Sequence, residues 1–291
     1  MTTNSAGRKD AGYSLANGMH LQTTVAGAAY APAGRLDDAK QGARDLVHLV
    51  DDFDQKQFLA VAAAFGQRRY GFVVTPNVDH LIRLHEDPSF RALYRSAEYV
   101  LMDSRFFARV LRLLKGIRLP VCTGSDLSEG LLAQVAAKSD RIVMVGGSAE
   151  QAQRLAALYG LTNLRHHSPP MGFIEDPLAV EECLQFIESE SPFRFCFLAL
   201  GSPQQEMLAQ LLLARGAARG LALCVGASLN FITGVEKRAP LWMQRASLEW
   251  LHRLWLDPRR LAGRYLVRGP RIFSHLRRAR FVLRNPSANS G

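Results

Sequence analysis

Apolar positions in this chain follow two patterns. Five runs are apolar almost throughout: YGFVVT (70–75), EYVLM (98–102), RIVMVG (141–146), FRFCFLALG (193–201) and LALCVG (221–226). Their length and their β-branched and aromatic content predict strands covered on both faces. Between them, residues 54–67, 79–97, 125–139, 148–160, 177–191 and 203–218 carry apolar positions at helical spacing. This alternation predicts an α/β domain with a mainly parallel sheet and flanking helices. In such folds ligands bind beyond the carboxyl ends of the strands.

Outside that region the pattern changes. Residues 1–43 are rich in Ala, Gly, Ser, Thr and Asn without a sustained period, which predicts a mobile leader before a core at 44–237. From 238 to 291 the apolar positions are helical again, but Pro240, Pro258 and Pro270 cut the section into short helices. All three tryptophans, Trp242, Trp250 and Trp255, lie here. Arg260, Arg264, Arg268 and Arg271 form a stripe beside Leu261 and Tyr265.

Charge sharpens the picture. Between Arg238 and Arg284 there are twelve arginines, no lysine and two carboxylates, an excess that equals the whole net charge of +10. The rest of the chain is balanced, so the partner of this tail is a local anion: phosphate groups, an anionic lipid surface or nucleic acid. Tryptophan and arginine interleaved on short amphipathic helices suit a lipid interface. A packed subdomain with its arginines in water is the plainer alternative. A nucleic-acid-binding protein is the second functional class, although the tail has no zinc-finger spacing and no RNP-type motif. No run reaches the ~20 apolar residues of a membrane span, and the N-terminus lacks a signal-peptide core. The cysteines, Cys122, Cys183, Cys196 and Cys224, are scattered and form no C-x-x-C pair, as expected of reduced thiols in a cytoplasmic protein.

Polar residues cluster where strands end. Thr75 and Asn77 follow the first run, and Asp103 ends the second. Each has two readings: a ligand contact, or an N-cap for the helix that follows. For Asp103 the functional reading is a general base whose pKa an apolar wall would raise, and Ser104 is the other candidate cap. Gly146-Gly147 opens a helix with bare backbone N–H groups, which suits a diphosphate or simply a tight turn. In LALGSPQQE, cap chemistry accounts for Ser202 and Glu206 more easily than for Gln204 and Gln205. Asn230 follows the last strand, as a ligand contact or a polar loop residue. Asp52 and Asp54 form a D-x-D that reads best as capping. The histidines show no metal-site spacing, so neither a metal nor another cofactor is expected.

Taken in order, T-x-N (75–77), Asp103, T-G-x-D-L (123–127), V-G-G (145–147), M-G-F (171–173), L-G-x-P-x-Q-E (200–206), V-G-A-x-x-N-F-x-x-G (225–234), R-A-P-x-W (238–242) and L-E-W-L-x-R-L-x-x-x-P-x-R (248–260) resemble one family. It is the WecG/TagA/CpsF glycosyltransferase family, glycosyltransferase family 26, and the resemblance spans about 46–273. It implies a Rossmann-like core with a basic C-terminal helical appendage that associates with the membrane. It implies an inverting transferase that moves a sugar, a hexose or N-acetylhexosamine, from a UDP-sugar to a polyprenyl-diphosphate-linked glycan. The setting implied is surface-polysaccharide biosynthesis (exopolysaccharide, capsule or a related glycan), peripherally on the inner face of the cell membrane, with no nucleic acid involved. By the same resemblance Asp103 is the base, with Thr75 and Gln205 beside the reacting groups. Asn77, Gly146, Gly147, Gly172, Phe173, Gly201 and Asn230 would contact the UDP-sugar, and Arg238, Arg253, Arg260 and Arg264 the acceptor and phosphates. The chain departs from the family's usual residues at Ser104 (glycine), Val121 (arginine), Gln204 (lysine) and Asn230 (aspartate). A serine at 104 requires φ < 0 there. The absent arginine at 121 calls for a substitute, Arg118 or a tail residue.

Overall fold

The computed structural model describes residues 47–277 and 279–284, without the side chains of residues 47–49 and Arg260. The predicted leader, 1–43, lies outside the described residues. Strand β1 (Val47–Asp51) is followed by α1 (Gln55–Phe65), β2 (Tyr70–Val74), α2 (Val78–Glu86), α3 (Pro88–Arg95), β3 (Tyr99–Val100) and α4 (Arg105–Lys115). Next come α5 (Gly124–Gly130), running on as a π-helical turn over Leu131–Val135, then β4 (Ile142–Val145), α6 (Ala149–Tyr159), β5 (Leu164–His167) and a 3₁₀ turn at Phe173–Glu175. They lead to α7 (Pro177–Ser189), β6 (Phe195–Leu198), α8 (Gln204–Arg215), β7 (Gly220–Cys224) and α9 (Ser228–Ile232). The last section holds α10 (Leu241–Ala246), α11 (Glu249–Leu256), α12 (Pro258–Ala262), a π-helical turn over Gly263–Arg268, α13 (Arg271–Leu276) and β8 (Arg280–Arg284).

Six strands pair in parallel in the order β3-β2-β7-β6-β4-β5. Every residue of β2, β4, β6 and β7 is buried, because helices cover both faces. Successive side chains go to opposite faces and build two cores. Phe72, Val74, Val143, Val145 and Leu198 enter one; Val73, Ile142, Met144, Phe195 and Phe197 enter the other. Each such side chain contributes about 1.5–3 kcal/mol on leaving water. The predicted α/β class with its parallel sheet is therefore the observed one.

Three differences have clear causes. The helix expected over 79–97 is two helices. The Asp87 side chain accepts from the Ser89 and Phe90 N–H groups at 2.8 and 3.1 Å, and Pro88 suits a helix start but not a helix interior. Strand β5, LRHH, sits at the sheet edge with partly exposed side chains and so lacks the apolar run used to find its neighbours. Strand β8 lies in the tail read as helical, and pairs in parallel with β1 as a separate two-stranded ribbon. Asp51 joins that ribbon to β3: its Oδ2 accepts from the Val100 N–H and from Arg284 Nη2, each at 2.7 Å. The prolines act as expected in the tail: helices start just after Pro240, at Pro258 and just after Pro270.

Candidate active site

Asp103 stands just past the short strand β3. Backbone bonds carry the strand direction on to it: Leu101 N–H to the Val74 carbonyl at 3.0 Å, and Asp103 N–H to the Pro76 carbonyl at 2.9 Å. These set Asp103 beside the segment 75–77. The cap question resolves in favour of Ser104, whose Oγ accepts from the Phe107 N–H at 3.1 Å. Ser104 has φ −159°, so its backbone is extended and needs no glycine. Relieved of capping, the Asp103 carboxyl lies beside Gly124, whose backbone N–H favours its charged form. Burial pushes it up to about 7, against the pull of the Arg253 guanidinium and that N–H; Glu249 and Asp126 push the same way as burial.

A cavity of about 200 Å³ opens in front of Asp103. Residues from α2 and α4 form one side: Asn77, Asp79, Arg105 and Phe106. The last section forms the other, with Ser247, Trp250, Arg253, Arg264, Tyr265 and Phe273. Asn77 is a cap and also lines the cavity. It caps α2, accepting from the Asp79 and His80 N–H groups at 3.1 and 3.4 Å, and it accepts from Arg264 Nη2 at 3.2 Å. The π-helical turn, marked by Gly269 N–H to the Arg264 carbonyl at 2.9 Å, sets Arg264 across from α2, 3.7 Å from Asp79. Arg253 lies 4.8 Å from the centroid of the Phe231 ring. Arg105 bridges Asp126 at 2.5 Å and Glu249 at 2.9 Å, tying α4 to α5 and α11. Arg238 joins Asp126 from its other side. Burial pushes Asp126 up, but the Arg238 and Arg105 guanidinium groups hold it below the usual carboxylate range. Three buried groups on the cavity wall, Trp250 Nε1, Ser247 Oγ and Arg264 Nε, have no hydrogen-bond partner among the described residues. All three can donate. Ser247 is also the one non-glycine with positive φ, 63°, among the described residues.

The other sequence-predicted core residues follow the carboxyl ends of strands and do not line this cavity. Thr75 is buried, and its Oγ1 donates to the Cys224 carbonyl at 3.1 Å. Gly124 keeps Thr75 and Asp103 close: a Cβ there would lie 3.4 Å from Thr75 Oγ1, 3.7 Å from Asp103 Oδ2 and 2.7 Å from Ser228 Oγ. Gln205 is buried beneath Gly226, whose N–H it accepts at 2.8 Å. At Gly146, with φ 93°, a Cβ would lie 2.6 Å from the Ala199 carbonyl oxygen. Its N–H goes to the His167 carbonyl, and the neighbouring Ser148 N–H to Gln151 Oε1, so one of the turn's two glycine donors is already engaged. Asn230 is held between Gln151 and Glu236 at 2.9 and 3.0 Å. Gly201 follows β6 with φ 78°; Gly172 precedes the 3₁₀ turn, and the Phe173 side chain is buried in the core. Arg238 lines a second cavity, with Tyr159 and Phe231. The side chain of Arg260 lies outside the described residues. Among the described residues no three His, Cys, Asp or Glu side chains group closely enough to hold a metal ion.

Sequence reasoning gave no role to Arg105, Asp126, Ser247 or Glu249, and counted Trp250 among tryptophans suited to a lipid interface, whereas it lines the cavity. Asp126, Glu249 and Trp250 sit inside the quoted T-G-x-D-L and L-E-W-L blocks, which was the available signal. Arg105 and Ser247 carried none, since their neighbours come from distant segments. Arg118 does not line the cavity; its tail arginines are Arg253 and Arg264.

The family model described as the glycosyl transferase WecG/TagA/CpsF family matches residues 46–286, which contain all of the described residues. This chain belongs to the WecG/TagA/CpsF family of glycosyl transferases, which act in cell-surface glycan synthesis.

Proposed function

We propose that this protein is an inverting transferase that moves a hexosyl or N-acetylhexosaminyl group from a UDP-sugar to a polyprenyl-diphosphate-linked acceptor. Asp103 takes the proton from the acceptor hydroxyl. The hydroxyl oxygen bonds to the anomeric carbon as the bond to UDP breaks on the opposite face, and UDP leaves with the electron pair. Thr75 and Gln205 flank the reacting groups. Donor contacts come from Asn77, Gly201, Asn230, the Gly146-Gly147 turn and the Gly172-Phe173 segment. Arg253 and Arg264, aided by Arg260, meet phosphate charge as bidentate donors. The mechanism calls on no metal.

The observation that carries the reading is Asp103, a carboxyl pushed up to about 7, facing a cavity walled by arginines. A base with a pKa near the working pH is both available and strong enough. The unpartnered donors of Trp250, Ser247 and Arg264 support an anionic ligand in the same cavity. Exposed Trp242, Trp255, Leu256 and Val267 support docking of 238–291 on the inner face of the membrane. Among the described residues no helix is long and apolar enough to cross a membrane.

A panel of UDP-sugars with a lipid-diphosphate acceptor, read by UDP release, tests the reading. One sugar should turn over, and Asp103→Asn should abolish transfer while UDP still binds. Near-normal turnover by that variant would remove Asp103 from the role of base.

A further inference from the structure

Backbone donors dictate the hydrogen-bond directions around Gln205. The Gly226 N–H can only donate, and it meets Gln205 Oε1 at 2.8 Å. The Nε2 end of that amide must therefore face the other way, where it donates to Glu206 Oε1 at 3.0 Å. The same logic applies to His80. The Asn77 N–H donates to its Nδ1 at 3.2 Å, so the neutral ring carries its proton on Nε2, 3.9 Å from the same Glu206 oxygen. One N–H thus donates to this carboxyl oxygen, and a ring N–H from a second helix stands 3.9 Å from it, beyond hydrogen-bond distance. Gln205, Glu206 and His80 are all buried. Glu206 Oε2 has no hydrogen-bond partner among the described residues, and neither has the buried Tyr94 hydroxyl, which feels the Glu206 charge. Burying a carboxylate with one oxygen unsatisfied is costly, and a place in the first turn of α8 does not offset it. Glu206 needs another reason to be there.

We propose that Glu206 is a positioning residue for sugar transfer, clamping the Gln205 amide with its second N–H kept for the reacting groups. His80, which accepts from the Asn77 N–H at the cavity rim, stands beside the same oxygen, so one carboxylate lies near both sides of the strand-end row. The proposal rests on the reading of Gln205 as a residue beside the reacting groups.

The test is a cycle of Glu206→Leu, Gln205→Met and the double variant, with Glu206→Gln as the conservative change. It is read as kcat and KM for UDP release, with thermal melts as the check on folding. Glu206→Leu should lower kcat about 10–100-fold with KM for the donor within about threefold, the scale of a misplaced catalytic group. Glu206→Gln should hold kcat within about threefold of the parent. Its amide oxygen still accepts from Gln205 Nε2, and its NH₂ takes the place of Oε2 without a buried charge. The double variant should be no slower than Gln205→Met alone. Losses that multiply in the double variant, or a full kcat in Glu206→Leu beside a slow Gln205→Met, overturn the positioning role and leave the reading of Gln205 intact. A full kcat in Gln205→Met overturns the reading of Gln205 and the proposal with it. If Glu206→Leu does not fold, Glu206→Gln decides: a tenfold loss of kcat there overturns the proposal, and retained kcat with Gln205→Met slow supports it.

Discussion

A carboxyl pushed up to about 7 has opposite consequences for catalysis and for stability. As a base Asp103 works only when deprotonated, so kcat/KM should rise with pH through about 7. Arg253 pulls its pKa down, so Arg253→Met should move that rising limb to higher pH, whatever it does to the maximum. A limb that stays in place would take Arg253 out of Asp103's electrostatics. For folding the sign reverses. Between the unfolded carboxyl value near 4 and about 7, the folded state holds a proton that the unfolded state has released. Stability therefore falls as pH rises across that window and is level above it. Asp103→Asn escapes this penalty. It should melt above the parent at pH 8, by about 2–4 °C per kcal/mol regained, with the gain shrinking toward pH 5. Thermal melts at the two pH values check it. Sequence alone offered cap and base as alternatives here. The choice turned on Ser104 taking the cap, leaving Asp103 free beside Gly124, in a segment 21 residues away.

Among the elements, apolar runs and caps were legible, because both are local. The strands at 70–75, 141–146, 193–201 and 221–226 and the caps at Asp54 and Asn77 follow from neighbours within four residues. The ribbon of β1 and β8 was not, since a parallel pair between the two ends of the described chain leaves no local trace. A long-range ion pair adds to that ribbon's backbone ladder. Asp51 is buried, and Arg284 Nη2 meets it at 2.7 Å. Arg284→Met strips the guanidinium from a buried carboxylate and should destabilise the fold by about 3 kcal/mol, read from urea melts. A loss under about 0.5 kcal/mol would mean the ribbon is held by other contacts.

At the scale of the molecule, the last section faces two ways. Arg253, Arg264 and Trp250 turn toward Asp103, while Trp242 and Trp255 are 64% and 84% exposed. Deleting the whole section would confuse these roles by removing a cavity wall and a strand together. The joint variant Trp242→Ala/Trp255→Ala separates them. It should bind anionic vesicles at least about tenfold more weakly in flotation while transferring normally to a soluble, short-chain acceptor, because interfacial tryptophans contribute to lipid affinity and not to this cavity. Equal flotation would remove those two side chains from any lipid contact.

The order of strands, helices and polar strand ends was set by the sequence, since hydrophobic period, cap chemistry and glycine at tight turns act over a few residues. The sequence also carried the identity of the acid at 103 and the surplus of arginine after 238. Tertiary structure alone decided what those residues became. It turned Arg253 and Arg264 inward, spent Arg238 on Asp126, and gathered Ser247, Trp250 and Arg264 with unpartnered donors around one cavity. It also raised Asp103 to about 7. Burial and charge proximity are non-local quantities: they depend on which distant segments share a volume, and no window of sequence contains that.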